Sequence, residues 1–511
     1  MMKSSMRESR ENIVDLKGVT ANGLKIIVDF IYTGAMLLNL QNVEDVLAAA
    51  SHLQVHEAIE LCSKYLQASI CVRNCVDILN IAELYSLMSL RKSAKSFILQ
   101  HFEDLTGFDQ YPLLNESQMA EFLSENGLRV MSEFTLFNLV LKWIQHSPVE
   151  REQYVTDLMR NIRLPLLSGE ELVEKVSRVP IMRRNAECCD LLTEAKDYHI
   201  VVSKQPLLQS NRTQVRSTNQ CIVICHAQTL ENYSLTTKRR GFLKENTVAL
   251  YNPSVAVVDN FLYTCGGKYE GGGTTDIAMA RCFRYDPRFD RWFELAPMNE
   301  PRKDFVLVAI EKKLYAIAGQ DENKVMHTIE CYDIVRNEWE MKCPLTRHVF
   351  RHAGTVCMGK IYISGGQIFS GTWRKLFCYS PTTDSWVEKA PMLRNRQDHI
   401  MTEVGGKLYV IGGHNDIDPL FIFPVPLKEV EKYCPETNQW TICKAELSII
   451  GAGACVLDNT IYIVGGMERH NSLTNKIHKY DPQKDEVQIE DLYNIRINGC
   501  ACALLTLPYY A

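Results

Sequence analysis

The sequence predicts a multidomain chain: an all-α N-terminal half, a polar connector, and an all-β C-terminal half closed into a six-bladed propeller. Three observations predict it. Up to about residue 195 apolar residues recur at helical spacing, whereas from about 217 short alternating runs are punctuated by Gly, Pro, Asp and Asn. A β-rich run ending in glycine recurs as NFLYTCGGK (260–268), KKLYAIAGQ (312–320), GKIYISGGQ (359–367), GKLYVIGGH (406–414) and NTIYIVGGM (459–467). Trp292, Trp339 and Trp386 follow one another at intervals of 47, and Trp440 follows at 54.

The bulk numbers exclude several classes. With 511 residues the chain has room for roughly three domains of ~150 residues each. A hydrophobic content of 46% and a charged content of 23% are ordinary for a globular chain. A net charge of −5 supplies no basic field, so no nucleic-acid partner is expected. No apolar run reaches the ~18 residues of a membrane span, and the opening MMKSSMRESREN has no apolar signal core. The 18 cysteines are scattered, which reads as reduced thiols and a cytoplasmic location. The sequons at Asn115, Asn211 and Asn232 then read as chance matches.

In the first half, VEDVLAAASHLQVHEAIELCSKYL (43–66) and CVDILNIAELYSLMSLRKSAKSFILQHF (75–102) carry the helical period. SEFTLFNLVLKWIQH (132–146) opens on Ser132 as an N-cap with Glu133 in the first turn. Short helices with short connections point to a packed helical array. SKQPLLQSNRTQVRST (203–218) is polar and aperiodic and reads as the linker.

In the second half each unit has four parts. An apolar run is followed by the Tyr strand ending in glycine, then by a strand ending in YDP or similar, then by a Trp strand that often ends in PM. Four strands at a period of roughly 45–50 residues is the signature of propeller blades. A blade cannot bury both faces alone, so neighbours stack and the ring closes. The glycines permit positive φ or a backbone approach that a Cβ would block, and Tyr and Trp suit the space between blades. Five units are marked. A sixth, QCIVICHAQ (220–228), is a second strand lacking a first, and NGCACALLTLP (498–508) is a first strand lacking a second. Joining the two closes the ring and removes free edges.

These residues resemble kelch repeats. VTANGLKIIVDFIYTG (19–34) with the helices after it resembles the second half of a BTB domain. NCVDILNIAELYSLMSL (74–90) through LMRNIRLPLLS (158–168) resembles a BACK domain with its 3-box helices. The whole chain thus resembles a Kelch-like (BTB–BACK–Kelch) protein, with domains expected at 1–70 (partial BTB), 71–197 (BACK), 198–218 (linker) and 219–511 (propeller). By this resemblance the chain begins in mid-BTB, without the family's N-terminal strand, dimer helix and first hairpin, so homodimerisation is not carried over. The resemblance implies an adaptor of a cullin-3 ubiquitin ligase, with no chemistry of its own. BTB and 3-box would hold cullin-3, and the propeller would hold a protein substrate. The family's cullin motif falls on MRE, which makes Met6 and Glu8 candidates, and Tyr32 and His52 lie on segments that line the same surface. The alternative function is a cytoskeletal, actin-associated scaffold, or a competitor that captures partners without delivering them.

For the substrate, loops on one propeller face converge from different blades. Arg302 and Arg396 each lie 13 residues before a Tyr-strand tyrosine, Tyr315 and Tyr409, and Val349 holds the equivalent place between Arg347 and Arg351. The four arginines are expected to form a basic rim for a carboxylate or phosphate, against the reading that they brace the turn. The insertion NDIDPLFIFPVPLKE (415–429) presents Phe421 and Phe423 among prolines as candidate anchors. His348 and His352 lack a matching cysteine pair, GGGTT lacks a phosphate-loop Lys, and no catalytic triad or paired carboxylate stands out, so no metal, cofactor or enzymatic activity is expected.

Overall fold

A computed structural model describes residues 16–226, 229–270, 276–415, 424–468, 472–491 and 501–509. The chain divides into two compact units, Met1–Thr193 and Glu194–Ala511.

The first unit is helical. Helix Ala21–Thr33 starts on Thr20, whose hydroxyl accepts from the Gly23 amide at 3.0 Å, and stops at Gly34 with φ 69°. A Cβ on Gly23 would lie 2.2 Å from the Asp45 carbonyl oxygen, so this glycine lets the helix close on helix Val43–His52. The two long helical patterns are broken, the first once and the second twice. The 43–66 run divides into Val43–His52 and His56–Ala68, and the 75–102 run into Cys75–Leu84, Met88–Gln100 and a further turn, Phe102–Leu105. Helix Glu133–His146 begins as expected, with Ser132 Oγ accepting from the Thr135 amide at 3.0 Å. It buries Trp143, whose indole donates to the Leu114 carbonyl at 3.1 Å while the Arg151 guanidinium lies 4.0 Å over the ring.

The second unit is a closed ring of six four-stranded antiparallel sheets. Blade I joins the chain's last strand, Ala501–Thr506, to Gln220–His226, Thr229–Ser234 and Arg240–Leu243, pairing Gln220 with Thr506 and Ile224 with Cys502. The expected closure is therefore present, and blade I is completed by both ends of the unit. Blades II to VI begin with innermost strands Ser254–Val258, Val306–Ile310, Ala353–Cys357, Ile400–Val404 and Gly453–Leu457. These strands surround an axial cavity of about 280 Å³ lined by small and apolar residues such as Gly354, Ile400, Gly453 and Ala501.

The paired glycines turn the chain where two blades meet. In blade IV, Gly365 (φ 57°) faces the next blade, and a Cβ there would sit 2.4 Å from the Arg396 carbonyl oxygen. Gly366 (φ 102°) faces its own blade, with a built Cβ 2.8 Å from both the His352 Cβ and the Phe350 carbonyl oxygen. The Gly366 amide donates to the Arg396 carbonyl at 2.7 Å, and Gly267, Gly319 and Gly413 make the same bond to Arg302, Val349 and Ile449.

A second device links blades through their outer strands. The Tyr of the third strand stacks on the Trp directly opposite it, as Tyr332 does on Trp339 with ring centroids 5.1 Å apart. Its hydroxyl donates to Asn337 Oδ1 at 2.6 Å. That same oxygen accepts from the Ala296 amide at 2.9 Å, and the Trp339 indole donates to the Ala296 carbonyl at 2.9 Å. The clasp thus grips both polar groups of one residue on the preceding blade. It recurs with Asp290 and Trp292 on Lys244, Asp384 and Trp386 on Cys343, and Asn438 and Trp440 on Ala390.

The expected linker is ordered on the propeller. It forms 3₁₀ turns Val202–Leu207 and Asn211–Thr213. Arg288 of blade II donates to the Thr213 carbonyl at 2.6 Å and to Gln209 Oε1 at 2.6 Å, and Lys312 reaches the Pro206 carbonyl at 3.4 Å. The division between compact units falls at 193/194, inside helix Ala186–Ile200.

Candidate functional site

The segment leading into each first strand carries the candidate arginines. Arg302 and Arg396 are not on a rim; each is fully buried. Arg302 donates from Nε and Nη2 to Glu330 Oε1 at 3.2 and 2.9 Å, and from Nη1 to the Ala318 and Thr328 carbonyls. Arg396 repeats the arrangement, with Nη2 2.8 Å from Glu431 Oε1 and Nη1 2.8 Å from the Gly412 carbonyl. Glu330 and Glu431 also accept from backbone amides of the turn, those of Asn299 and Glu300 and of Leu393 and Arg394 respectively. Their recurrence 13 residues before a tyrosine marks a buried brace between turn and third strand.

Arg347 and Arg351 are exposed. Arg351 occupies a position that recurs two residues before each first strand, where the backbone is left-handed: Asn252, Asp304, Arg351, Asp398 and Gly451 have φ between 50° and 63°. These residues bond to one another around the axis. The Arg351 amide donates to the Asp304 carbonyl at 3.0 Å, that of Asp398 to Arg351 at 3.1 Å, and that of Gly451 to Asp398 at 2.9 Å. Asp304 is held by Gln320 Nε2 at 2.7 Å, and Asp398 faces His414 Nε2 at 3.3 Å. The Arg351 side chain remains 41% exposed, 3.8 Å from Asp398 and 5.7 Å above the Phe350 ring. It thus spans from blade IV to Asp398 of blade V. On the neighbouring hairpin, Phe369 projects fully into solvent.

Under this belt lie two buried histidines. Neither ring nitrogen of His352 meets a partner in good geometry, and burial holds its imidazole down at about 4. His399 takes Ser364 Oγ on Nε2 at 2.9 Å, and burial likewise holds it well below its ordinary range. Both pack on glycines and are neutral spacers near neutral pH. His348 turns away from His352; its Nδ1 lies 2.7 Å from the Val325 carbonyl. Among the described residues no group of three or more potential metal ligands comes together.

In the helical unit Tyr32 is 86% exposed near the end of helix Ala21–Thr33, and His52 is exposed at the end of helix Val43–His52. Met6, Glu8, Phe421 and Phe423 lie outside the described residues.

Helices packed as an array in one unit and a closed ring with an exposed, convergent loop face in the other define a multidomain protein-binding class. Comparison with known proteins narrows it. The family profile for a Kelch-like protein 33-like BTB/POZ domain matches residues 1–63, that for BACK (BTB And C-terminal Kelch) matches 75–177, and that for the KLHDC2/KLHL20/DRC7 Kelch-repeats domain matches 252–449 and 307–490. Kelch-like protein 26 of Mus musculus is 36% identical over 524 residues, covering 99% of this chain and 86% of that protein. Kelch-like protein 26 of Danio rerio is 34% identical over 528 residues with the same coverage. Kelch-like protein 9 of Mus musculus is 35% identical over 342 residues, 65% of this chain and 55% of that protein. The chain belongs to the Kelch-like family of BTB–BACK–Kelch proteins, a family of substrate adaptors. Among the described residues no helix is long and apolar enough to cross a membrane.

Proposed function

We propose that the protein is the substrate-recognition adaptor of a cullin-3 RING ubiquitin ligase. The N-terminal BTB and 3-box segments bind cullin-3, with Met6, Glu8, Tyr32 and His52 on the contact. The propeller's loop face binds the protein to be ubiquitinated, with Arg347 and Arg351 gripping a carboxylate or phosphate and Phe421 and Phe423 as apolar anchors. The observation that carries this reading is the order BTB, BACK, Kelch on one chain, which supplies one unit for each partner. The exposed Tyr32 on one unit and the exposed Arg351 at the axial end of the other support it.

The test is direct binding of the purified chain to the N-terminal half of cullin-3. The expected result is saturable binding that Glu8→Lys weakens at least about tenfold, because it reverses a charge at an interface, while Arg351→Glu leaves it unchanged. A folded chain that does not bind, or binding indifferent to Glu8→Lys, overturns the reading.

A further inference from the structure

Blades II, V and VI carry a cation at one register position, in blade V Lys432 opposite Tyr409. Opposite the second-strand tyrosine, blades III and IV place Cys331 and Cys378, whereas blade II places Arg284 between Tyr263 and Phe293. In blade VI the same position holds Lys479, which lies over Tyr462 and pairs with Glu490 at 2.5 Å. Among the described residues Arg284 makes no such ion pair. Its guanidinium is 2% exposed and lies between the rings of Phe261 and Phe293, 4.7 and 5.1 Å from their centroids. Nη2 donates to two neutral oxygens, the Val202 carbonyl at 3.0 Å and Gln205 Oε1 at 3.2 Å. Nε has no partner in good geometry, and neither does the fully buried Tyr263 hydroxyl.

Both groups line one cavity of about 170 Å³, bounded by Val202, Ser203, Leu295, Tyr332 and Ile334. Its rim includes the exposed Ser203, Glu294 and Asn337, so it is reachable from solvent. A single water needs only about 10–15 Å³ of such space, so the cavity has room for a small organic acid or an acidic side chain. The neighbouring charges are committed elsewhere. Asp286, two residues along the strand, pairs with Arg288 at 3.1 Å, and Glu294 accepts from Arg281 at 2.8 Å. Arg284, Arg288 and Asp286 together leave one positive charge uncompensated. A buried cation without a counter-charge is costly, and an anion seated against it relieves that cost.

We infer that this cavity between the 202–203 segment and the outer strands of blades II and III is a carboxylate-binding site. The carboxylate accepts from Arg284 Nε and the Tyr263 hydroxyl, and its short alkyl stem lies against Leu295 and Ile334. This inference is independent of the adaptor reading, since it invokes neither cullin-3 nor the loop face.

The test is ligand-observed saturation-transfer NMR on the full chain with three probes: propionate, neutral propionamide, and glutamate blocked at both backbone ends. The expected result is saturable binding of propionate, at least about tenfold stronger than that of propionamide. Tyr263→Phe, which keeps the ring, is expected to weaken propionate about fivefold, the worth of one hydrogen bond. Blocked glutamate binding more tightly than propionate assigns the site to a protein's acidic side chain, and the reverse order assigns it to a free acid. No propionate binding, equal binding of acid and amide, or an unchanged affinity in Tyr263→Phe overturns the proposal.

Discussion

Arg302 and Glu330 show how a buried residue pair can look like a binding motif. The arginine was visible in the sequence at a fixed distance from a tyrosine, and so was its recurrence at Arg396. The partner was visible too. Glu330 and Glu431 each stand two residues before the third-strand tyrosine, and where Val349 and Ile449 replace the arginine, Phe377 and His478 replace the glutamate. Recurrence alone does not separate a shared ligand from a shared brace; the coupled change of both partners does. Both side chains of the Arg302–Glu330 pair are fully buried. Glu330→Ala leaves the buried guanidinium with only the Glu300 carboxylate, 3.1 Å from Nη2, and is expected to cost about 3 kcal/mol, whereas Arg302→Met with Glu330→Met costs less. Urea unfolding followed by the propeller's tryptophan fluorescence separates the two, and equal losses would contradict the brace.

Among the elements, helices were readable and their breaks were not. The chain leaves helix Val43–His52 through Gln54 (φ 57°), with the Val55 amide closing on the Ala50 carbonyl at 2.9 Å. It leaves helix Cys75–Leu84 through Ser86 (φ 54°), with Leu87 closing on Ala82 at 2.8 Å. Both are Schellman ends built without the glycine that signals one in sequence, so the apolar period ran on across them. The tryptophan strands are legible in the sequence, whereas the Asx half of the clasp carries no hydrophobic period that would mark it. The pattern is Tyr, four residues, Asp or Asn, one residue, Trp, as in Tyr332, Asn337 and Trp339. The middle residue has positive φ, which Asn and Asp tolerate better than most side chains do. Asn337→Gly keeps that conformation accessible while removing the acceptor shared by Tyr332 and Ala296. It is expected to lower propeller stability by about 1–3 kcal/mol through the buried donors it leaves unmet, read as a shift in the urea midpoint. No shift would mean that the clasp is decorative.

At the scale of the molecule, the two halves, the count of six blades and the joining of residues 498–508 to 220–228 were all legible, because pairing unfilled strands is a global constraint that few arrangements satisfy. The docking of 202–213 was not legible, because it rests on arginines from a distant strand reaching backbone carbonyls, which leaves no periodic trace. The clasp itself is unevenly distributed. It is complete from blade II back to I, III to II, IV to III and V to IV. Blade VI has Val487 in the tryptophan's place and keeps only Asp485, which accepts from Ala445 at 3.1 Å. Blade I has Lys238 and Arg240 in the Asx and Trp places, and in place of the clasp meets blade VI through a half-exposed Lys238–Glu490 pair at 3.1 Å beside an apolar cluster of Ile222, Ile224, Cys455, Val464 and Ile477. Such a pair is worth about 0–1 kcal/mol and weakens with salt. The ring therefore resembles a split washer: four joints with a complete clasp, one whose clasp lacks the tryptophan, and one where an ion pair stands in for the clasp beside an apolar cluster and the closing strand. Local breathing should start there, with amides of Gln220–His226 and Lys476–Asp481 exchanging hydrogen sooner than their counterparts in blades III and IV, and sooner still at high salt. Uniform exchange around the ring would mean that the apolar cluster and the closing strand keep the split shut without a clasp.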